Sequence, residues 1–262
     1  MNKNISILGS GWLGYPLALQ FVQKKYDVKT SCTTAGKLDQ LRAIGTTPFI
    51  VDIDALNINA LNNDVDAFLQ SETLVINIPA DSVEGHQALL KHVRRSPVQN
   101  IILVSSTSVY PNNSQIATED DALPKSRRLA IEKIFACNNK LNTTVLRFAG
   151  LVGYRRHPGL FFASGKPLLN PNAPVNLIHR DDCIEIINQV IRHQAWNQIF
   201  NCCADTHPTK IEFYTHAASL LHQPPPTVDD SKSGSNKTIS NEKLKTILKY
   251  KFIHPDLMTI EF

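Results

Sequence analysis

Short apolar runs alternate with longer amphipathic stretches along the first 150 residues of the chain. The runs are rich in β-branched residues, and apolar side chains recur at helical spacing between them, as at Leu17, Ala18, Phe21 and Val22. Strands are predicted at residues 5–8, 28–33, 49–51, 73–78, 100–104 and 144–148, with helices at 37–44, 83–95 and 127–138. Strands that are apolar on both faces and alternate with helices predict an α/β protein with a doubly wound parallel sheet.

The pattern changes after residue 150. A stretch rich in Gly, Pro, Arg and Asn is typical of a functional loop, and strand and helix periodicity then returns. The later elements are a strand at 175–179, a helix at 182–193, a strand at 199–203, a helix at 211–221, a polar linker at 223–236 and a helix at 241–248. We therefore expect a nucleotide-binding core over 1–150, a substrate-side loop over 151–174, a returning strand–helix–strand over 175–203 and a small C-terminal lobe over 204–262.

Composition narrows the classes of partner. The chain has 27 basic and 23 acidic side chains, a formal net charge of +4. A charge this small and scattered argues against nucleic acid and membrane surfaces as partners, and no apolar run is long enough for a transmembrane helix. The five cysteines are odd in number and lack the spacing of metal ligands, so no metal site is predicted. Without a secretory signal pattern, a cytoplasmic location is expected.

A glycine-rich turn follows the first predicted strand directly and precedes a helix. Its sequence is Gly9-Ser10-Gly11-Trp12-Leu13-Gly14. In this context Gly9 permits the tight turn, Gly11 lets the backbone approach a pyrophosphate, and Gly14 lets the helix pack closely on the strand. The N–H groups at the helix N-terminus then face the phosphates. Residues 9–14 are therefore predicted to bind a dinucleotide.

The end of the second strand bears on which dinucleotide binds. Enzymes that use NAD place a carboxylate there for the ribose hydroxyls, whereas a 2′-phosphate needs hydroxyl groups and cations. Residues 31–37 contain no carboxylate but contain Thr33, Thr34 and Lys37, which could hold a phosphate. NADP is therefore favoured. NAD is the alternative, because Lys37 could equally be an exposed lysine in the first turn of a helix.

Further motifs follow the glycine turn in a fixed order. They are Val51-Asp52, the segment Ile76-Asn77-Ile78-Pro79-Ala80, and residues 104–110, 146–153, 176–182 and 200–203. Together they resemble the extended short-chain dehydrogenase/reductase superfamily, and within it the NAD(P)-dependent epimerase/dehydratase group, over nearly the whole chain. The resemblance implies a Rossmann-type sheet with a small C-terminal substrate lobe and an NAD(P)-dependent oxidoreductase or epimerase-like activity. It also allows a homodimer.

The resemblance implies roles for individual residues. The cofactor contacts it implies are Asp52 at the adenine, Ile78, Pro79 and Ala80 along the ribose, Phe148, Ala149 and Gly150 beside the nicotinamide, and Ser105. Ser106 matches the catalytic Ser/Thr that hydrogen-bonds the reacting hydroxyl or carbonyl, and Thr107 is assigned to substrate binding. The segment at residues 179–182 is implied to enter a helix, with Asp181 or Asp182 as its N-cap, rather than to bind a metal.

The chain departs from the family at the general acid/base. The family uses a Tyr followed four residues later by a Lys, which lowers the pKa of the tyrosine hydroxyl. Here Pro124 and Arg128 occupy those positions, counting back from Glu132. Arg128 could hold the nicotinamide ribose but cannot relay a proton at neutral pH. The remaining candidates for proton transfer are Tyr110, Tyr154 and His157.

The loop after the sixth strand indicates the substrate. Arg155, Arg156 and His157 are adjacent there, and guanidinium groups bind phosphate or carboxylate in bidentate fashion. The sequence thus favours an enzyme that acts on a small, polar, anionic or sugar-like molecule. The alternative is a non-catalytic NAD(P)-binding or redox-sensing protein, which the missing Tyr/Lys pair favours. A weaker hypothesis is a protein–protein interaction module on a vestigial nucleotide-binding fold.

Overall fold

A computed structural model describes residues 3–56, 63–113, 115–231 and 236–260. Its strands are β1 (Asn4–Leu8), β2 (Asp27–Cys32), β3 (Thr47–Ile50), β4 (Thr73–Ile76), β5 (Asn100–Ser106), β6 (Ile116–Ala117), β7 (Asn142–Phe148), β8 (Gly150–Val152), β9 (Leu168–Leu169), β10 (Leu177–His179), β11 (Ile199–Cys202), β12 (Val228–Asp229) and β13 (Thr238–Ile239). Its helices are α1 (Gly14–Gln23), α2 (Leu38–Ala43), α3 (Asn63–Phe68), α4 (Val83–Val93), α5 (Arg127–Ala136), α6 (Arg180–His193), α7 (Lys210–Ser219) and α8 (Glu242–Leu248).

Seven strands form one sheet in the order β11-β7-β5-β4-β1-β2-β3. The strands β1, β2, β3, β4 and β5 pair in parallel, with Ile5 opposite Val28 on one side of β1 and opposite Thr73 on the other. From β1 the chain builds outward first towards β3 and then, from β4, in the opposite direction. This is the doubly wound α/β arrangement, which confirms the predicted fold class.

Two compact units can be distinguished from the contacts within the chain. Unit 1 comprises Met1–Ser105, Pro124–Leu146 and Val190–Ile199, and unit 2 comprises Ser106–Leu123, Arg147–Gln189 and Phe200–Phe262. Each unit is assembled from separate segments, whereas the sequence suggests contiguous domains. The domain boundaries at residues 150, 174 and 203 stay a prediction.

Each unit has an apolar cluster of its own. In unit 1 the side chains of β4 are buried on both faces, and Leu74 and Ile76 pack in a cluster with Leu89 from α4 and Phe135 from α5. In unit 2 Phe213 from α7 belongs to a smaller cluster with Val152, Leu177, Leu257 and Ile260. Burying one large apolar side chain contributes about 1.5–3 kcal/mol, so these clusters supply much of the free energy of folding.

The predicted elements are present, with ends that shift by a few residues. The helix α3 and the short strands β6, β8, β9, β12 and β13 are not predicted, because they are too brief to show periodicity. Part of the predicted linker at 223–236 lies outside the described residues. The N-cap prediction for Asp181 or Asp182 is wrong, because α6 begins at Arg180 and both carboxylates lie in its first turn. Instead, His179 Nδ1 accepts the N–H of Asp181 at 3.3 Å.

The cysteines differ sharply in exposure. Cys137, just after α5, is exposed, and the other four are buried. Burial raises the pKa of the thiols of Cys183, Cys202 and Cys203. These three side chains therefore pack as small apolar groups. Among the described helices, none combines the length and apolar character needed to cross a bilayer.

Candidate functional site

The glycine turn in unit 1 has the backbone geometry that the sequence motif predicts. Gly9 has a φ of 96°, a conformation that L side chains rarely adopt. A methyl group at Gly14 would collide with the carbonyl oxygen of Gly9, so α1 leaves the turn in close contact with it. A methyl group at Gly11 would meet no atom within 4 Å. The space in front of Gly11 is therefore open, as a backbone that receives a pyrophosphate requires.

Hydrogen bonds from neighbouring strands hold this turn. The N–H of Gly9 donates to Ser31 Oγ at 3.0 Å, Ser10 Oγ donates to the carbonyl oxygen of Ser31 at 2.8 Å, and Asn77 Nδ2 donates to the carbonyl oxygen of Gly9 at 3.2 Å. At the N-cap of α1, Leu13 offers no side-chain acceptor, and no acidic residue lies in the first turn. No side chain caps the start of α1, but Tyr15 donates its N–H to the carbonyl oxygen of Gly11 at 3.0 Å and Pro16 has no N–H. The turn at residues 9–14, rather than the body of α1, therefore fits the pyrophosphate of a dinucleotide.

The other cofactor candidates of unit 1 follow the ends of its strands. Thr33, Thr34 and Lys37 are exposed after β2, with Lys37 closing the short turn Ala35–Lys37. Asp52 is exposed after β3 and accepts the N–H of Asp54 at 3.0 Å. After β4, Ile78 is half-buried, Pro79 is exposed and Ala80 is buried, while Trp12 in the glycine turn is half-buried. These side chains lie at the carboxyl ends of parallel strands, where ligands bind in such sheets.

Ser105 has a partner within unit 1 that the sequence does not indicate. Its hydroxyl donates to Glu132 Oε1 at 2.5 Å, and both side chains are buried. This bond uses the proton of the hydroxyl and leaves its oxygen able to accept, and the cofactor role of Ser105 stays a prediction. Arg128 is half-buried in the first turn of α5, and its role stays a prediction.

Tyr110 belongs to a buried polar network within unit 2. Its hydroxyl donates to Asn201 Oδ1 at 2.5 Å and accepts from Arg147 Nη1 at 2.7 Å, and Arg147 also donates to the carbonyl oxygen of Glu119 at 2.7 Å. Burial raises the pKa of Tyr110 to about 12, against the opposing effect of Arg147. A hydroxyl that is engaged on both sides and titrates this high is unsuited to proton exchange at neutral pH. The expectation that Tyr110 replaces the missing acid/base is therefore corrected.

The two other candidates for proton transfer also have structural partners in unit 2. Tyr154 donates its hydroxyl to Asp181 Oδ1 at 2.9 Å, and its pKa is raised by burial and by this carboxylate. His157 Nδ1 accepts the N–H of Gly159 at 3.0 Å and thereby caps the short turn Pro158–Leu160. Burial lowers the pKa of His157, which keeps this imidazole neutral at physiological pH.

A cavity of about 490 Å³ lies in unit 2. Its lining includes Ser106, Thr107, Gly150, Asn176, Lys210 and Lys237. The structure therefore brings Ser106, Thr107 and Gly150 of the predicted set together, and Ser106 Oγ accepts the N–H of Ser108 at 3.2 Å. Phe148 and Ala149, the residues before Gly150, are buried. Arg155 and Arg156 are exposed and are not among the residues that line this cavity, and their role in substrate binding stays a prediction.

Two lysines of the cavity are the cations that the sequence analysis missed. Lys210 Nζ donates to the carbonyl oxygen of Leu169 at 3.1 Å, and Lys237 Nζ donates to that of Tyr110 at 2.9 Å. Neither forms an ion pair with a carboxylate among residues 3–56, 63–113, 115–231 and 236–260. Burial lowers the pKa of both ammonium groups. In the sequence, the capping residue Thr209 marks the start of α7 beside Lys210, but nothing marks Lys237.

Solved structures share this fold over nearly the whole chain. A putative NAD-dependent epimerase/dehydratase from Methylobacillus flagellatus has a TM-score of 0.77 and 23% sequence identity, covering 98% of this chain and 95% of its own. UDP-glucuronic acid 4-epimerase from Bacillus cereus, solved in complex with NAD, has a TM-score of 0.77 and 18% identity, with coverage of 97% and 96%. The protein thus has the fold of the extended short-chain dehydrogenase/reductase superfamily, as found in its NAD-dependent epimerase/dehydratase members.

The sequence comparison identifies a family within that class. No family model matches the chain. Protein YeeZ from Escherichia coli strain K12 is 32% identical over 268 residues, which cover 97% of this chain and 97% of YeeZ. The chain belongs to the same family as YeeZ.

Proposed function

We propose that the protein is an NAD(P)-dependent oxidoreductase or epimerase-like enzyme that acts on a small, polar, anionic substrate. The observation that carries this proposal is the cavity of unit 2, where the side chain of Ser106 and two lysines without carboxylate partners in the described structure line the same space. Lys237 is buried and Lys210 is half-buried. A cation that is removed from water without a counter-ion is costly, and an anionic ligand would supply the missing charge.

For the cofactor we propose NADP, with NAD as the alternative. The N–H groups of the glycine turn would bind the pyrophosphate, and Thr33, Thr34 and Lys37 would bind the 2′-phosphate. When bound, the nicotinamide ring supplies a site that accepts or donates a hydride. UDP-glucuronic acid 4-epimerase, which has the same fold, was solved with NAD. That structure supports a nicotinamide dinucleotide, either NAD or NADP, as the cofactor of this protein.

On the substrate side, Ser106 would donate its hydroxyl proton in a hydrogen bond to the reacting oxygen, while Lys210 and Lys237 would bind a carboxylate or phosphate. The lysines act as cations only below their pKa. Burial lowers the pKa of both ammonium groups, so they lose their charge at a lower pH than ordinary lysines do. As the pH is raised, the affinity for an anion should therefore begin to fall at a lower pH than it would with ordinary lysines.

A second function is favoured by a specific observation. Pro124 and Arg128 occupy the positions of the family's Tyr/Lys pair, and the hydroxyl of Tyr110 is held by Arg147 and Asn201. A chain without a tyrosine poised to exchange protons could bind the dinucleotide without turning a substrate over. It would then act as a cofactor-binding or redox-sensing protein.

The enzyme hypothesis is tested by following the absorbance of the reduced cofactor with a panel of hydroxy acids, sugar acids and sugar phosphates. For a substrate found this way, Lys210→Gln is expected to raise KM about tenfold with little change in kcat, because glutamine keeps a donor for Leu169 but not the charge. Ser106→Ala is expected to lower kcat about 100-fold. Lys91→Gln, an exposed residue of α4, is the matched control.

Two results would count against this hypothesis. Saturable binding of NADPH, seen in the fluorescence of Trp12, with no turnover of any anionic compound would favour the cofactor-binding function instead. Activity that is indifferent to both Ser106→Ala and Lys210→Gln would remove these residues from the mechanism. If neither NADPH nor NADH binds, both functions are wrong.

The cofactor preference has its own test. Lys37→Ala is expected to weaken binding of NADPH about tenfold and to leave NADH binding unchanged, because only NADPH carries the phosphate that Lys37 would contact. Calorimetric titration of both cofactors measures this difference. Lys24→Ala, an exposed lysine after α1, should affect neither cofactor. An equal loss for NADPH and NADH in Lys37→Ala would contradict the preference for NADP.

A further inference from the structure

Three metal-binding side chains converge in unit 2, and the proposed function does not use them. They are His179 at the end of β10, Asp181 in the first turn of α6, and His254 in the C-terminal segment. His179 Nδ1 lies 3.5 Å from Asp181 Oδ2, and His254 Nε2 lies 3.6 Å from the same oxygen. One ligand atom from each side chain lies within 4.8 Å of the others.

The two separations that involve Asp181 suit a tetrahedral ion. With bonds of about 2.0–2.1 Å from zinc to nitrogen or oxygen, two ligand atoms of a tetrahedron lie about 3.3–3.4 Å apart. Both distances to Asp181 Oδ2 are within about 0.3 Å of that value. His254 is partly exposed, so a small rotation of its ring can adjust the separation of the two imidazoles.

The surrounding structure fixes the three side chains. The Nε2 edge of the His179 ring packs against Gly153, which turns Nδ1 towards Asp181. Without an ion, Nδ1 accepts the N–H of Asp181 at 3.3 Å, and a bound ion would replace this hydrogen bond on the nitrogen lone pair. Tyr154 donates its hydroxyl to Asp181 at 2.9 Å. Asp182, which is fully buried, accepts the N–H of His254 at 3.1 Å and so anchors the backbone that carries the third ligand. Hydrogen bonds of this kind orient ligands around metal ions in proteins.

One nitrogen atom of this cluster has no hydrogen-bond partner in the described structure. His254 Nε2 is buried and has no hydrogen-bond partner among the described residues, since 3.6 Å to Asp181 is too long for such a bond. The rings of His179 and His254 lie only 3.9 Å apart between centroids.

We propose that His179, Asp181 and His254 bind one Zn²⁺ ion, with a water molecule as the fourth ligand. Imidazole and carboxylate ligands in tetrahedral geometry favour zinc among the divalent ions that are common in cells. The ion would join the start of α6 to the C-terminal segment, two parts of unit 2 that are more than 70 residues apart in sequence. This role is independent of the proposed oxidoreductase function.

The test uses the untagged protein after treatment with a chelator and dialysis. Titration with Co²⁺ is expected to give one equivalent bound, with the strong visible absorption of a tetrahedral site, and Zn²⁺ should displace the colour. His254→Gln is expected to weaken Co²⁺ binding by about 100-fold, and Asp181→Asn should also weaken it. His193→Gln, an exposed histidine at the end of α6, is the matched control and should bind as the wild type does.

Thermal unfolding without metal shows whether a loss of metal binding in a variant reflects a loss of folding. His254→Gln and the wild type should unfold at similar temperatures without metal, and Zn²⁺ should raise the unfolding temperature of the wild type alone. Equal Co²⁺ affinity in the wild type and His254→Gln would overturn the proposal. So would the weak absorption of six-coordinate cobalt, or a loss of binding in His193→Gln as large as in His254→Gln.

Discussion

Gly11→Asp is expected to lower the affinity for NADPH and NADH by about 100-fold or more, which corresponds to about 2.7 kcal/mol of binding free energy. A side chain at this position meets open space, so the fold should accept it. The added carboxylate would stand where the glycine turn receives the pyrophosphate, and repulsion between the two anions would oppose binding. Calorimetric titration of both cofactors measures the loss.

The control for this variant places a carboxylate at the other end of the same helix. Gln23→Glu changes the exposed last residue of α1 and should leave the affinity for both cofactors within twofold of wild type. Circular dichroism should show both variants folded. If Gly11→Asp binds NADPH as well as Gln23→Glu does, the glycine turn is not the pyrophosphate site.

Asp182→Ala is expected to destabilise the protein by about 3 kcal/mol. The carboxylate of Asp182 is fully buried and accepts the Tyr250 hydroxyl at 2.8 Å and the N–H of Ile253 at 2.7 Å, besides the N–H of His254. Alanine would leave these donors buried without an acceptor. Thermal unfolding should show a decrease of roughly 6–12 °C in the midpoint for a chain of this size.

An exposed aspartate provides the comparison for Asp182. Asp120→Ala removes a carboxylate from the surface of unit 2, and its effect on the free energy of unfolding should stay within about 0.5 kcal/mol. A midpoint for Asp182→Ala that matches that of Asp120→Ala would show that the three hydrogen bonds contribute little. The anchoring of the segment at residues 250–254 would then need another explanation.

The features that could be predicted from the sequence depend on local patterns. The apolar runs of β1, β4 and β5 are bounded by polar residues, and the buried sheet follows from their spacing along the chain. The glycine turn could be predicted because each of its three glycines meets a requirement of the backbone within a span of six residues. The collision that a methyl group at Gly14 would cause shows this requirement in the structure.

The features that could not be predicted depend on partners that are distant in the sequence. Asp182 resembles a helix cap in its local context, yet its partners are Tyr250, Ile253 and His254 at the other end of the chain. Tyr110 looks available for proton transfer until Arg147 and Asn201 are seen on its hydroxyl. No local pattern encodes such contacts, because they form only when separate segments pack together.

The charged residues that line the candidate substrate cavity also could not be predicted from local patterns in the sequence. The adjacent arginines 155 and 156 attract notice in the sequence because they form a doublet, but both are exposed. Lys237, in contrast, directly follows the polar segment at 223–236 that resembles a linker, and only folding buries its side chain in unit 2. Cations that lack a nearby counter-ion are therefore recognised by the burial of their side chains in the structure and not by their clustering in the sequence.

The unequal exposure of the five cysteines has a practical consequence for experiments on this protein. Because Cys137 is exposed while Cys32, Cys183, Cys202 and Cys203 are enclosed, a maleimide dye or spin label should attach at a single position in the native protein. That position follows α5 in unit 1, more than 40 residues along the chain from His179, Asp181 and His254. A spectroscopic label can therefore be introduced without first removing any thiol by mutation.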